Sequence, residues 1–309
     1  TGPVGIVAAS GTGAQEVSTL LDRWGVGVAQ LIGVGGRDLS ADVQGVMTHA
    51  ALDLLADDDA VQSLMVVSKP PAGAVGDTLL ARLETLAGPR RPVIACLLGR
   101  ADAGITGVDP LLIRGTLEGA AIDAAVLAGA HPEIADPTDL PIAERPGVLG
   151  LFTGGTLASE AKIVLARAGV EATIHDLGDD QYTAGRPHPM IDPAPRTAWL
   201  ADLANDDTVG VLLVDLVLGH GAHPDPAGAL ADAVDALQQR RGANDRAPLV
   251  VVASVTGTDA DPQPLSGQVR RLRSAGIVVA PCNASAARVA GRLSRNAQSA
   301  QRVIHRVAR

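Results

Sequence analysis

The sequence predicts an α/β chain made of two tandem, doubly wound parallel-sheet domains, and two observations carry this. Short continuous runs of Val, Leu and Ile alternate with helical patterns along the chain, and the second half repeats the order of the first. Apolar runs of about four to eight residues, each followed by a helix, mark parallel strands covered on both faces. The repeat has the length of a domain, not of a solenoid unit. Gly11-Thr12 and Gly155-Thr156 each follow an apolar run, and Glu16 and Glu160 come after them at the same offset.

In the first half, residues 4–10 read as a strand, 12–24 as a helix, 28–35 as a strand and 43–55 as a helix. Residues 63–68 follow as a strand, 73–86 as a helix and 92–99 as a strand, with a short run at 111–113 before a closing helix at 116–127. The second half gives strands at 147–152, 172–178, 209–218, 249–257 and 276–281, and helices at 156–168, 196–203, 227–240, 266–274 and 285–293. Between the halves, residues 131–147 hold Pro132, Pro137, Pro141 and Pro146 with little periodicity, the composition of an extended linker. The expected domains are therefore 1–130 and 148–295, with a Pro-rich linker at 131–147 and a basic C-terminal tail at 296–309. Each domain should be flavodoxin-like, with ligands beyond the carboxyl ends of the strands.

The chain has 309 residues, enough for two domains, and its 47% apolar and 19% charged content is that of a globular protein. Trp24, Trp199, Phe152 and Tyr182 are the only aromatic residues, so the core is aliphatic and stacking surface for bases is scarce. A net charge of -9 removes the attraction to a phosphate backbone, which excludes nucleic acid as the expected partner. Cys96 and Cys282 lie in apolar runs and read as small buried hydrophobes. No apolar run approaches the roughly 20 residues of a membrane span and no signal peptide opens the chain. A cytoplasmic protein is expected, without membrane contact. Thr1 stands just before the first strand, and a natural N-terminal region is expected to be missing.

A strand that ends in Ser10-Gly11-Thr12 or Gly154-Gly155-Thr156 and feeds a helix presents unpaired N–H groups and the positive end of the helix dipole. That is an anion seat, written twice, in which Thr12 or Thr156 can cap the helix. The alternative is a plain α/β corner with an N-cap threonine. Neither turn fits the Walker or dinucleotide-binding glycine patterns. Arg37 and Asp38 follow the second strand; the matching place in the second half carries Asp179, Asp180, Arg186, His188 and Asp192. Arg186 can clamp a carboxylate or phosphate and His188 can exchange a proton, or the loop is an interface ordered by Asp–Arg pairs. Lys69 ends the third strand, and its counterpart loop holds His220 and His223, where Pro224 and Pro226 break the helix a metal site would use. No metal is expected.

With these turns, the strings GGRDL (35–39), SKPP (68–71), GRPHPMID (185–192) and TGTDADPQ (256–263) in order, the chain resembles the FdrA family, an offshoot of the succinyl-CoA synthetase superfamily, from residue 1 to about 293. The resemblance implies that the first half is similar to the ligase domain of the synthetase α subunit and the second to that of the β subunit. It implies first helices aimed at a shared phosphate, and an N-terminal CoA-binding-like region not present in this sequence. It also implies a phosphohistidine after the fourth strand, yet residues 97–107 hold no histidine, and no ATP-grasp region is found. What it implies for function is acyl or carbamoyl transfer through phosphate, as in an oxamate carbamoyltransferase that converts oxalurate and phosphate to oxamate and carbamoyl phosphate in allantoin catabolism. Phosphate would be held near Gly11 and Gly155, Lys69 or Arg37 would neutralise the transferring group, and Arg186 would grip the oxamate carboxylate. Partner subunits or a homo-oligomer are expected. Two other readings stay open: an NDP-forming acyl-CoA synthetase-like ligase, which needs CoA and a nucleotide, and a non-catalytic scaffold or regulatory subunit.

Overall fold

The structure, a computed structural model, describes residues 1–307, with side chains to residue 303. The chain divides into two compact units, Thr1–Glu133 and the residues from Ile134 onward. The first unit is a parallel sheet of β1 (Val4–Ala8), β2 (Val28–Gly33), β3 (Ser63–Ser68), β4 (Val93–Leu97) and β5 (Leu111–Arg114), in the order β2-β1-β3-β4-β5. Helices α1 (Gly11–Arg23), α2 (Val46–Ala56), α3 (Gly73–Leu86) and α4 (Leu117–Leu127) connect and cover it. Every residue of β1, β3 and β4 is buried, which is why their sequences are continuous and do not alternate.

The second unit repeats this plan with β6 (Gly147–Phe152), β7 (Ala172–Asp176), β8 (Val209–Val217), β9 (Val250–Thr256) and β10 (Val278–Ala280), in the order β10-β9-β8-β6-β7. Counted from its own first strand, each sheet has the flavodoxin-like order 2-1-3-4-5. The helices of this unit are α5 (Gly155–Arg167), α6 (Asp180–Thr183), α7 (Ala194–Asp202), α8 (Pro226–Ala243), α9 (Leu265–Ser274) and α10 (Asn283–Val307). Cys96 and Cys282 are both buried. Among the described residues no helix is long and apolar enough to cross a membrane.

The repeated glutamate has a packing role in the second unit. Glu160 on α5 is fully buried and accepts a hydrogen bond from Asn283 Nδ2 (2.7 Å), while the same Nδ2 donates to the Leu157 carbonyl (3.0 Å). The first and last helices are thus tied beneath the sheet surface. A second difference from the sequence reading concerns the tail: residues 296–307 continue α10 as helix, and residues 308 and 309 lie outside the described residues.

The Pro-rich stretch is no free spacer after residue 133. Asp136 accepts from Ser285 Oγ (2.6 Å), Arg288 Nε (3.0 Å) and Arg288 Nη2 (2.9 Å). Arg292 donates to the Pro137 carbonyl, Ser294 Oγ to that of Pro146 (2.6 Å) and Gln301 to that of Glu144 (3.2 Å). An irregular strap is laced along α10 by side chains of the helix. Burial pushes the Asp136 carboxyl up, but the hydrogen bonds from Arg288 and Ser285 and the charges of Arg288 and Arg292 outweigh it and hold the group below 3.8. A depressed carboxyl stabilises the fold above its unfolded value and loses that contribution as pH falls through its folded value. Asp136→Ala is expected to cost about 1–2 kcal/mol near neutral pH and progressively less in acid. Urea melts of both proteins across the acid range check this, and a pH-independent difference would contradict it.

Candidate functional sites at the strand ends

In the first unit β1 lies between β2 and β3, with Ala8 in register with Gly33 on one side and Val67 on the other. Its end leads into Ser10, whose extended backbone (φ -160°, ψ 118°) is that of an N-cap and whose Oγ accepts from the Gly13 N–H (2.9 Å). Ser10 therefore caps α1, and Thr12, expected to cap, lies inside the helix. The register dictates this, because Ser10 is the last extended residue before the first helical turn. Gly11 is exposed, and a Cβ added there would meet open space. Arg37 and Lys69 follow β2 and β3, so both stand at the same sheet rim as Ser10, Gly11 and Thr12; Arg37 is exposed and Lys69 half-buried. Asp38 has a different task. It is buried, and its carboxylate accepts from the N–H groups of Met47 (3.1 Å) and Thr48 (2.8 Å) and from Thr48 Oγ1 (2.6 Å), which caps α2 from a distance. The loop 97–107 turns back on β5 through a two-way backbone pairing of Ala103 with Ile113.

The matching turn of the second unit is built around a carboxylate that the sequence reading did not single out. Asp215 on β8 is fully buried. It accepts from the N–H of Thr153 (2.7 Å), from that of Gly154 (2.7 Å) and from Thr153 Oγ1 (3.1 Å), and it pairs with Arg196 Nη2 at 2.7 Å. The N-cap of α5 is Gly154, which has no side chain to cap with, and Thr156 lies inside the helix, buried. Thr156 is thus no N-cap either. Arg196 is itself buried, and its Nε has no hydrogen-bond partner among the described residues. Burial pushes the guanidinium pKa down while Asp215 opposes the shift. Thr153, Met190, Arg196, Asp215 and His223 are among the residues that line a cavity of about 30 Å³, room for a water molecule.

Two loops close over this turn. The N–H of His223 donates to the Met190 carbonyl (2.8 Å), and buried Gln263 bonds Gly219 and the His223 carbonyl, which fixes the loop that carries exposed His220. His188 accepts from the Met190 N–H at Nδ1 (3.3 Å). A Cβ on Gly178 would lie 2.6 Å from His188 Nε2 and 2.6 Å from the Thr153 carbonyl oxygen, so only a glycine leaves room for the imidazole beside that carbonyl. Asp179 accepts from the Gln181 N–H and caps α6, and Asp192 accepts from that of Ala194 at the start of α7. Of the second-half candidates, the fold thus brings His188 to the Gly154-Gly155-Thr156 turn and spends Asp179 and Asp192 on helix starts.

Arg186 lies elsewhere. Helix α7 turns Arg196, Thr197 and Leu200 toward the Asp215 cavity, and Pro195, Ala198, Trp199 and Asp202 toward a separate groove that Arg186 also lines. Behind this groove His175 on β7 packs on Trp199 (ring centroids 4.4 Å apart, planes at 34°) and hydrogen-bonds Tyr182 Oη through Nδ1 (3.3 Å). Burial, and then the charge of Lys162, lower the His175 pKa below 6.5.

Removing Arg196 leaves the Asp215 charge buried without its cation, so Arg196→Met is expected to lose about 3–5 kcal/mol of stability, measured by chemical denaturation. The double variant with Asp215→Leu should not recover it, because the Thr153 and Gly154 N–H groups then have no acceptor. For His175 the depressed pKa favours the neutral ring in the fold, a contribution present above pH 6.5 and lost below it as the unfolded chain takes up the proton first. His175→Phe should flatten the acid side of the thermal-midpoint profile; an unchanged slope between neutral and mildly acidic pH would count against this role.

Residues 151–293 match the family described as CoA-ligase. Over 311 residues the chain is 36% identical to the uncharacterized protein YahF of Escherichia coli strain K12, which takes in 90% of this chain and 59% of that protein. It is similar to the dinucleotide-forming acetyl-coenzyme A synthetase 1 of Ca. Korarchaeum cryptofilum (TM-score 0.35, 16% identity, 97% of this chain and 66% of that one). It is also similar to Methanosaeta concilii ATP citrate lyase in complex with (3S)-citryl-CoA (TM-score 0.31, 12% identity, 95% of this chain and 50% of that one). The chain spans less than two thirds of the length of these relatives. The matched residues run from β6 into α10 of the second unit.

Proposed function

We propose that the chain is the paired ligase-type part of an FdrA-like transferase, which moves an acyl or carbamoyl group to and from inorganic phosphate. The observation that carries this reading is the rim of the first unit. There an exposed glycine at the start of α1 stands with Arg37 and Lys69, while the loop 97–107 holds no histidine to take the phosphoryl group. Such a rim suits phosphate as a reactant held by N–H groups and cations.

With oxalurate as substrate, a phosphate oxygen attacks the ureido carbonyl carbon and the C–N bond to oxamate breaks. The leaving nitrogen takes the phosphate proton. Charge gathers on the attacked carbonyl oxygen, and Lys69 or Arg37 is the group to oppose it, an electrostatic effect that is usually the largest part of catalysis. In the second unit, His188 beside the Thr153 carbonyl is the group able to exchange a proton at that turn. Small-molecule substrates and partner subunits, or further copies of this chain, belong to the same proposal.

The CoA-ligase match favours a second reading, an NDP-forming acyl-CoA synthetase-like ligase, which needs a nucleotide, CoA and a phosphorylated histidine outside residues 97–107. One experiment separates the two: the purified chain, alone and with its natural partner subunits, is given oxalurate and phosphate in one arm and a carboxylic acid, CoA and ATP in the other. Carbamoyl phosphate in the first arm, reduced about a hundredfold or more by Lys69→Glu, is expected. Acyl-CoA in the second arm with acid-labile phosphate on the protein would overturn it, and silence in both would leave a scaffold.

A further inference from the structure

The groove beside Arg186 is a second concavity of the second unit. It has a volume of about 330 Å³, within the range of small-molecule pockets, and Leu177, Gln181, Tyr182, Arg186, Trp199 and Asp202 are among its lining residues. The chain has only four aromatic side chains, and two of them meet here. Trp199 and Tyr182 are both held by one residue: His175 packs against the Trp199 ring at 4.4 Å and bonds the Tyr182 hydroxyl, so the aromatic wall is fixed before any ligand arrives. Arg186 and Asp202 are exposed and of opposite charge, and they add one cationic donor and one anionic acceptor.

We infer that this groove binds a planar nitrogen heterocycle that carries an anionic group. The ring would lie against Trp199 and Tyr182, where a flat π system gains both apolar burial and stacking. Ring or exocyclic N–H groups would donate to Asp202, and the phosphate or carboxylate would take the paired N–H donors of Arg186. An aliphatic acid would leave the aromatic wall unused, and a bare anion would use Arg186 alone. The groove and the Asp215 cavity share no lining residue, and the groove is lined by none of Gly11, Arg37, Lys69 and His188, the residues used in the transfer reaction proposed above.

Trp199 supplies the readout. In a Trp24→Phe background it is the sole tryptophan, and its emission is followed during titration with AMP and with orotate, which present the phosphate and the carboxylate form of the same chemistry. Adenosine and inorganic phosphate serve as the separated parts. Saturable change with AMP or orotate is expected, with Kd raised at least about tenfold by Arg186→Ala and with adenosine and phosphate each weaker by a similar factor. Arg186 is exposed, so the variant should keep its fold, and an unchanged thermal midpoint verifies this. No saturable change with either probe at millimolar concentration overturns the inference. So does binding that Arg186→Ala leaves untouched.

Discussion

The Asp215 carboxylate is the interaction on which the geometry of the second unit rests. A buried charged group in an otherwise apolar parallel strand is stable only if it is hydrogen-bonded and paired, and Asp215, near the carboxyl end of β8, achieves both with the turn after β6 and with Arg196 of α7. Its two oxygens collect the N–H groups that close β6, the Thr153 hydroxyl and the Arg196 guanidinium. The turn into α5 therefore has one shape, α7 is anchored by its buried face, and the 188–192 and 219–223 loops pack over a fixed floor. The first unit has the same strand order but no charged residue in β3, and its turn is capped by the neutral Ser10 hydroxyl. The two turns are thus alike in topology and unlike in electrostatics. One has an internal anion against its N–H groups; the other has an exposed glycine at the rim that also carries Arg37 and Lys69.

This difference bears on the repeated Gly-Thr-x-Ala-x-Glu string. Read as a pair of anion seats, the string puts weight on glycine and threonine. In the folded second unit, glycine serves the turn, threonine is buried inside the helix, and the glutamate accepts a hydrogen bond from Asn283. Part of the repeat therefore records how the first helix of such a domain is fastened to its last. In the first unit Glu16 is likewise buried on the first helix. The repeat carries less information about ligand than about packing.

Strands were the most legible elements, because a parallel strand covered on both faces must be continuously apolar, and β3 and β6 begin and end where their apolar runs do. Polar interactions across sequence distance were not legible. Asp38, Asp179 and Asp192 stood out as possible site residues, yet each accepts backbone N–H groups at a helix start, the commonest use of aspartate in such loops. Arg196 and Asp215 were passed over. The available signal was the lone charge in the run 209–218, which demands a cation from elsewhere in the fold. Likewise the Pro-rich stretch reads as an extended linker in isolation, and only its bonds to the first half of α10, Asp136 to Arg288 and Pro137 to Arg292, show that it is held there.

Helix α7 joins these strands of argument. Its residues at 196 and 200 belong to the Asp215 cavity, and those at 195, 198, 199 and 202 to the aromatic groove. A short helix moves as one body, so a shift large enough to reshape the groove would stretch the Arg196–Asp215 pair and expose the turn's N–H groups. Breaking that pair costs several kcal/mol, which disfavours such a shift. The aromatic wall is held on its other side by His175, from the neighbouring edge strand. Both constraints act before any ligand is present. The groove is therefore preformed, and its selectivity comes from the fixed placement of Trp199 and Tyr182 together with the one exposed, adaptable arm of Arg186.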